Sequence, residues 1–202
     1  MMMDVDMRLM TTGLTLAVAG LTAVTAFNTI RLQSPPPISV AATPIETKEF
    51  AWKCPGCTPE EQYVLKELQA RTKITDRNAL ATLLGNIKQE SNFRANVCEG
   101  GARVPYNACH RGGYGLIQWT SVGRYKALGN FCENFGCDPS TLEGQVRFMI
   151  NETTFQRYLP EFEGRGHTIS QYMVPAYYWL GWGIKGYREL YCLLYTSPSP
   201  RD

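Results

Sequence analysis

The sequence predicts a mainly helical α+β domain with a small irregular or β-containing region in its middle. Three observations carry this expectation. Helix-start signatures recur at Thr58-Pro59-Glu60-Glu61, Thr75-Asp76, Ser121 and Ser140-Thr141-Leu142-Glu143, and apolar residues at helical spacing follow each one. Between residues 91 and 121 that spacing disappears, and glycine, proline and cysteine take its place. Ahead of the first signature, an uncharged stretch at residues 9–30 is followed by a proline-rich segment at 31–50.

Residues 9–30 are long enough to span a bilayer but only weakly hydrophobic, being rich in Gly, Ala and Thr. They read as a signal or membrane-anchor segment, with residues 1–8 as the flank on the cytoplasmic side. That flank carries Arg8 but also Asp4 and Asp6, and Val24-Thr25-Ala26 supplies a small-residue cleavage site. A buried helix of the folded domain is the alternative, and the prolines that follow at once argue against it. Residues 31–50, with Pro35-Pro36-Pro37 and Pro44, read as an extended linker. The folded domain is expected over 51–191.

Composition sets further bounds. Apolar residues make up 44% and charged residues 19%, as in an ordinary soluble fold, and a net charge of +2 gives no basis for nucleic-acid binding. The seven cysteines, at 54, 57, 98, 109, 132, 137 and 192, suit an exported protein rather than a cytosolic one. Cys98/Cys109 and Cys132/Cys137 are spaced as local loop staples. Cys54-Pro55-Gly56-Cys57 reads as structural, bonded either mutually or to separate distant partners. Zinc competes with disulfides, but the two histidines, His110 and His167, lack ligand spacing, so no metal is expected.

Residues 77–94 are the stretch around which the chain is organised. On a helical wheel Ala79, Ile87 and Glu90 fall within about 40° of Leu83, so the one carboxylate of this helix lies on its apolar face. Burial disfavours the charged form, and a carboxyl kept partly protonated near neutral pH is what a general acid requires. The alternative is an acid in the last turn that has reached solvent beyond the core. Thr75 or Asp76 caps this helix, and the preceding one runs to about Arg71 with Tyr63, Val64 and Leu68 inside.

Arg111-Gly112-Gly113-Tyr114-Gly115-Leu116-Ile117-Gln118-Trp119 follows the irregular region. Its glycines allow close backbone approach to a ligand, Tyr114 and Trp119 have flat faces suited to sugar rings, and Gln118 carries both a donor and an acceptor. A glycine-rich turn leading into a buried strand fits the same residues. Ser121 caps a helix through about Phe131 with Val122, Tyr125 and Leu128 inside. A capping box at Ser140–Glu143 opens the next helix, and residues 152–164 form a further short one that Pro160 breaks. Residues 168–182 are aromatic-rich, with Tyr172, Tyr177, Tyr178, Trp179 and Trp182 serving as core or as a sugar platform. Residues 192–202 continue no earlier pattern and resemble a translated sequencing adaptor, so Cys192 is expected to have no partner.

Glu90-Ser91-x-Phe93, preceded by Gly85 and Gln89 and followed by the Gly-x-x-Gln-Trp loop at 115–119, resembles the lysozyme-like superfamily and, more closely, the phage tail lysozyme family. The resemblance spans roughly residues 60–190. It implies a lysozyme-like fold acting on peptidoglycan, with Glu90 as general acid and Ser91, Tyr114, Gln118, Trp119 and Tyr178 along the glycan. Neither cofactor nor metal is implied. The reaction is cleavage between N-acetylmuramic acid and N-acetylglucosamine. Glu99, Glu133 and Asp138 are the candidates by position for a second acid; without one, a lytic transglycosylase giving 1,6-anhydro products is expected. A non-catalytic glycan-binding or structural virion module, and an enzyme acting on chitin or chitosan, are the alternatives. The partners expected are peptidoglycan strands and, through residues 9–30, a membrane. The location is exported, membrane-anchored or virion-associated.

Overall fold

The computed structural model describes residues 52–110 and 112–196, and these form seven α-helices joined by short loops and one long one. The segments read as anchor (9–30) and linker (31–50) lie outside the described residues. Among the described residues no helix is long and apolar enough to cross a membrane.

Helix α1 (Pro59–Arg71) starts as its sequence dictates. The Thr58 hydroxyl accepts from the Glu61 amide, and the Glu61 carboxylate accepts from the Thr58 amide. Helix α2 (Arg77–Ser91) is capped by Asp76, whose carboxylate accepts from the Asn78 and Ala79 amides. Its sequence suggests one apolar face, yet every residue from Ala79 to Ile87 is buried. The helix is enclosed because α1, α6 (Ile169–Leu180) and α7 (Arg188–Thr196) all pack on it. The buried polar residues satisfy themselves locally: Thr82 donates to the Asn78 carbonyl and Asn86 to the Thr82 carbonyl.

Helices α3 (Val122–Phe135), α4 (Leu142–Asn151) and α5 (Thr153–Phe162) complete the domain and correct several expectations. Helix α3 continues four residues past Phe131, so the Cys132–Cys137 disulfide pins a helix end, where Gly136 adopts the left-handed conformation. Val122, expected inside, is 69% exposed because it stands at the first position of α3. At α4 the cap is Thr141. The Ser140 hydroxyl instead accepts from the Tyr106 amide, and Glu143 is exposed, so no capping box forms. Pro160 does not break α5: it lies within the helix, two residues from its end.

Arg188, Cys192 and Tyr195 are buried at positions i, i+4 and i+7 of α7. The helical period therefore crosses residue 191, and residues 192–196 pack with the domain expected to close there. Cys192 forms no disulfide, and the other six cysteines pair as Cys54–Cys57, Cys98–Cys109 and Cys132–Cys137.

The long connection between α2 and α3 contains only two isolated antiparallel bridges, Val97–Arg103 and Cys98–Tyr114, and a 3-10 turn at Tyr106–Ala108. Among the described residues this is the whole β contribution, so the fold is mainly α. Cys109, which ends the 3-10 turn, bonds Cys98 as the spacing suggests. Both Cys109 and its partner Cys98 are buried and belong to the main core with Tyr114 and Leu116. The Cys98–Cys109 disulfide is therefore core packing as well as loop closure, because a disulfide sulfur is apolar and the glycine-rich segment folds back over it.

Side chains also hold the loop in place of a sheet. The fully buried Gln145 amide accepts from the Leu116 amide (2.7 Å) and donates to the carbonyls of Ala95 (2.6 Å) and Pro139 (2.7 Å). Gly115 has φ +73°, and a Cβ there would stand 2.4 Å from the Gln145 amide. Left-handed backbone and overpacking both oppose a side chain here, so Gly115→Ala is expected to destabilise the domain by about 2–4 kcal/mol. Urea unfolding midpoints measure this, and a midpoint equal to wild type would contradict it.

Candidate active site

Glu90 lies in the last turn of α2, one residue before the helix closes. Asn92 ends the helix in the left-handed conformation (φ 50°), and Phe93 repeats it (φ 61°), so the chain turns sharply away. The Ser91 hydroxyl donates to the Leu116 carbonyl at 2.8 Å, which ties the helix end to the glycine-rich loop. Glu90 thereby faces a groove of about 720 Å³. Ile117, Gln118, Arg124, Leu180, Trp182 and Arg188 line it together with Glu90.

Among the described residues Glu90 is the one carboxylate lining this groove. Its side chain is 15% exposed and pairs with the Arg188 guanidinium at 2.6 Å. Burial pushes its carboxyl above the usual 4.5; the charge and hydrogen bond of Arg188 and the charge of Arg124 pull it down without cancelling that effect. Glu61 is the instructive contrast. It is also buried, but there hydrogen bonds from Lys88, the Thr58 amide and Tyr195 outweigh the upward push of burial and hold the carboxyl below 4.5. Glu61 borders a separate cavity of about 500 Å³ that does not include Glu90. Of these two acids, the upward push of burial prevails only at Glu90.

The structure gathers only part of the residue set expected at the glycan. Gln118 lines the groove, with φ 52°, and its amide donates to the carbonyls of Gly115 (2.9 Å) and Val97 (3.3 Å). Three others serve the fold. Ser91 is buried in its tether to Leu116. Tyr114 is fully buried, edge-on to Tyr106 and Tyr125, and donates to the Val104 carbonyl at 3.1 Å. Trp119 is fully buried against Phe148, so neither of these rings offers a face to a sugar. Tyr178 is 59% exposed and lies outside the groove lining, stacked on Tyr158. Its neighbour Tyr177 meets Trp182, which does line the groove. The disulfide cysteines, Cys98 and Cys109 of the loop included, do not line the groove.

None of the three candidate second acids reaches the groove. Glu99 is exposed and accepts from the Gly113 amide at 2.8 Å. Glu133 is exposed on α3. Asp138 is exposed and accepts from the Ser140 amide at 2.8 Å.

No sequence motif singles out Arg124, Glu152 or Arg188. Glu152, between α4 and α5, is 5% exposed and accepts four hydrogen bonds. Oε1 takes Arg124 Nη2 (2.6 Å) and Trp179 Nε1 (2.8 Å), and Oε2 takes Arg124 Nε (3.2 Å) and Trp119 Nε1 (3.2 Å). The tryptophan of the Gln-Trp motif thus fixes a carboxylate, which fixes an arginine, which lines the groove. Two buried indoles that each need an acceptor were the available clue.

Residues 60–172, more than half of the chain, match the family described as phage tail lysozyme. The chain belongs to that family. Neither a curated protein nor a solved structure matches it. The family makes this a lysozyme-like protein that acts on peptidoglycan, and the three disulfides are consistent with an exported or virion-associated protein. The matched segment contains Glu90, Gln118, Arg124 and Glu152 and stops short of Trp182 and Arg188.

Proposed function

We propose that this phage tail lysozyme family member cleaves the bond between N-acetylmuramic acid and N-acetylglucosamine, with Glu90 as the general acid. One observation carries the reading: Glu90 is a largely buried carboxylate in a large open groove, and burial raises its affinity for a proton even beside Arg188. Carrying that proton, it can protonate the leaving glycosidic oxygen. Gln118 and Trp182, which both line the groove, are the polar and aromatic contacts for the sugars. Trp182 takes the platform role that the sequence suggested for Trp119.

A specific feature favours a second reading. Among the described residues the groove presents one carboxylate and two guanidiniums, whereas a hydrolase of this chemistry uses a pair of carboxyl groups. A single Glu90 can act first as acid and then as base, drawing the proton from the muramyl 6-hydroxyl as it attacks its own anomeric carbon. The product is then a 1,6-anhydro sugar, as from a lytic transglycosylase. Mass spectrometry of digested peptidoglycan tests both readings. Anhydro-muropeptides, which lack the water added by hydrolysis, are the expected products; products that are reducing and hydrated throughout would establish hydrolysis instead.

Export through residues 9–30 belongs to the same proposal, since the substrate lies outside the cytoplasm. Fractionation of expressing cells is expected to place the protein with the membrane or beyond it, and an exclusively cytoplasmic product would refute this.

A further inference from the structure

The acid role of Glu90 conflicts with its partner. As a general acid Glu90 must carry a proton, and a protonated carboxyl no longer compensates the Arg188 guanidinium 2.6 Å away. Arg188 is 5% exposed, and a buried cation without a partner is costly. Its situation is already incomplete. Nε has no acceptor, and Nη1 reaches Asn86 Oδ1 only at 3.4 Å. The residue also stands at the first position of α7, where the helix dipole disfavours a positive charge. The face of Trp182, 4.5 Å from the guanidinium carbon, supplies one favourable contact.

No neighbouring carboxylate can take over from Glu90. Glu152 is committed to four donors. Glu61 is held by Lys88 and Thr58, and Glu189, next in α7, is held by Lys185 and Ser170. The charged groups facing Glu90 are Arg188 from α7 and Arg124 from α3. Trp182 and Arg188 both line the groove, the guanidinium over the indole ring, so a glycan entering the groove meets both. An N-acetylated glycan carries amide carbonyl oxygens next to its glycosidic bonds, and these are acceptors of the kind Arg188 lacks.

We infer that Arg188 is a positioning residue that couples substrate binding to the proton on Glu90. In the empty groove Arg188 pairs with Glu90 and favours its carboxylate form against the upward push of burial. A bound glycan offers a carbonyl oxygen to Arg188, the ion pair opens, and Glu90 takes one proton from solvent, which it then delivers to the glycosidic oxygen. This rests on the reading of Glu90 as the acid. It adds that the acid is armed by occupancy of the groove, through a residue outside the segment matched to the family.

The test is a titration of the Glu90 carboxyl by carbon NMR in the full chain, with Glu90→Gln used to assign the signal. Wild type, Arg188→Lys and Arg188→Gln are each measured alone and with the tetramer of N-acetylglucosamine, which carries acetamido carbonyls and no carboxylate. In wild type the tetramer is expected to move the Glu90 midpoint up by about one pH unit, the low end of what loss of a close opposite charge produces. In Arg188→Gln the midpoint should already be high and the tetramer should move it little, while Arg188→Lys should retain most of the wild-type response. In peptidoglycan digestion Arg188→Gln should raise KM about 10-fold or more through the lost acceptor contact, and its activity should persist to higher pH. If Arg188→Gln does not fold, the wild-type and Arg188→Lys titrations still decide the matter. A wild-type midpoint unmoved by saturating tetramer would overturn the inference, as would a folded Arg188→Gln whose midpoint matches wild type. Full activity in Glu90→Gln would overturn the acid assignment itself, whatever the titrations show.

Discussion

Glu90→Gln is expected to reduce the clearing of a peptidoglycan suspension by about 10²-fold or more, since the proton donor is lost while the groove keeps its shape. Glutamine is nearly isosteric, and its carbonyl can still accept from Arg188, so the fold should be retained. Circular dichroism and a melting temperature close to wild type are the checks for that. The pH dependence of the wild-type protein carries independent information. A general acid works only while protonated, so activity should fall as pH rises through the pKa of Glu90. Burial has raised that pKa, so the fall is expected at higher pH than for an ordinary carboxyl near 4.5. An activity that collapses around pH 4.5, or a Glu90→Gln protein that clears as fast as wild type, would exclude Glu90 as the acid.

Glu152→Ala is expected to have the largest effect on stability. The substitution leaves a half-buried Arg124 and the two buried indoles of Trp119 and Trp179 without their acceptor. Breaking a buried ion pair by removing one partner typically costs about 3–5 kcal/mol. For a domain of this size the corresponding fall in Tm is on the order of 10 °C. Glu152→Gln keeps one acceptor oxygen and should fall between alanine and wild type. Activity should fall as well, because Arg124 lines the groove beside Glu90. Thermal unfolding of the three proteins checks the order, and a Glu152→Ala protein as stable as wild type would show that the cluster contributes no stability.

Glu90 and Glu152 differ greatly in how visible they are in the sequence. Glu90 could be found because helical periodicity relates residues a few positions apart, and its neighbours in that register, Ala79, Leu83 and Ile87, are all fully buried. The caps at Thr58 and Asp76 and the close pairs Cys98/Cys109 and Cys132/Cys137 were legible for the same reason: each depends on partners close together in the chain. That Cys109 lies in the core was not legible, since burial depends on what folds over it. Glu152 was invisible because its partners sit at 119, 124 and 179, and no local pattern links them. The misplaced rings follow the same logic. Sequence identifies Tyr114 and Trp119 as large and flat, but whether a ring faces a sugar or the core depends on what packs over it. Here Tyr106, Tyr125 and Phe148 do so.

The sequence by itself determined the mainly helical class, the helix that carries Glu90, its apolar register and the likeness to phage tail lysozymes. Local hydrogen bonding and side-chain spacing encode all of these. Only the tertiary structure decided that, among the described residues, the groove is lined by one carboxylate and two arginines, that the Gln-Trp tryptophan braces Glu152, and that Arg188 closes on Glu90 from α7. Those features are sums of burial and charge over segments far apart in the chain, 33 residues for Trp119 and Glu152 and about a hundred for Glu90 and Arg188, and no local signal in the sequence records how such segments meet.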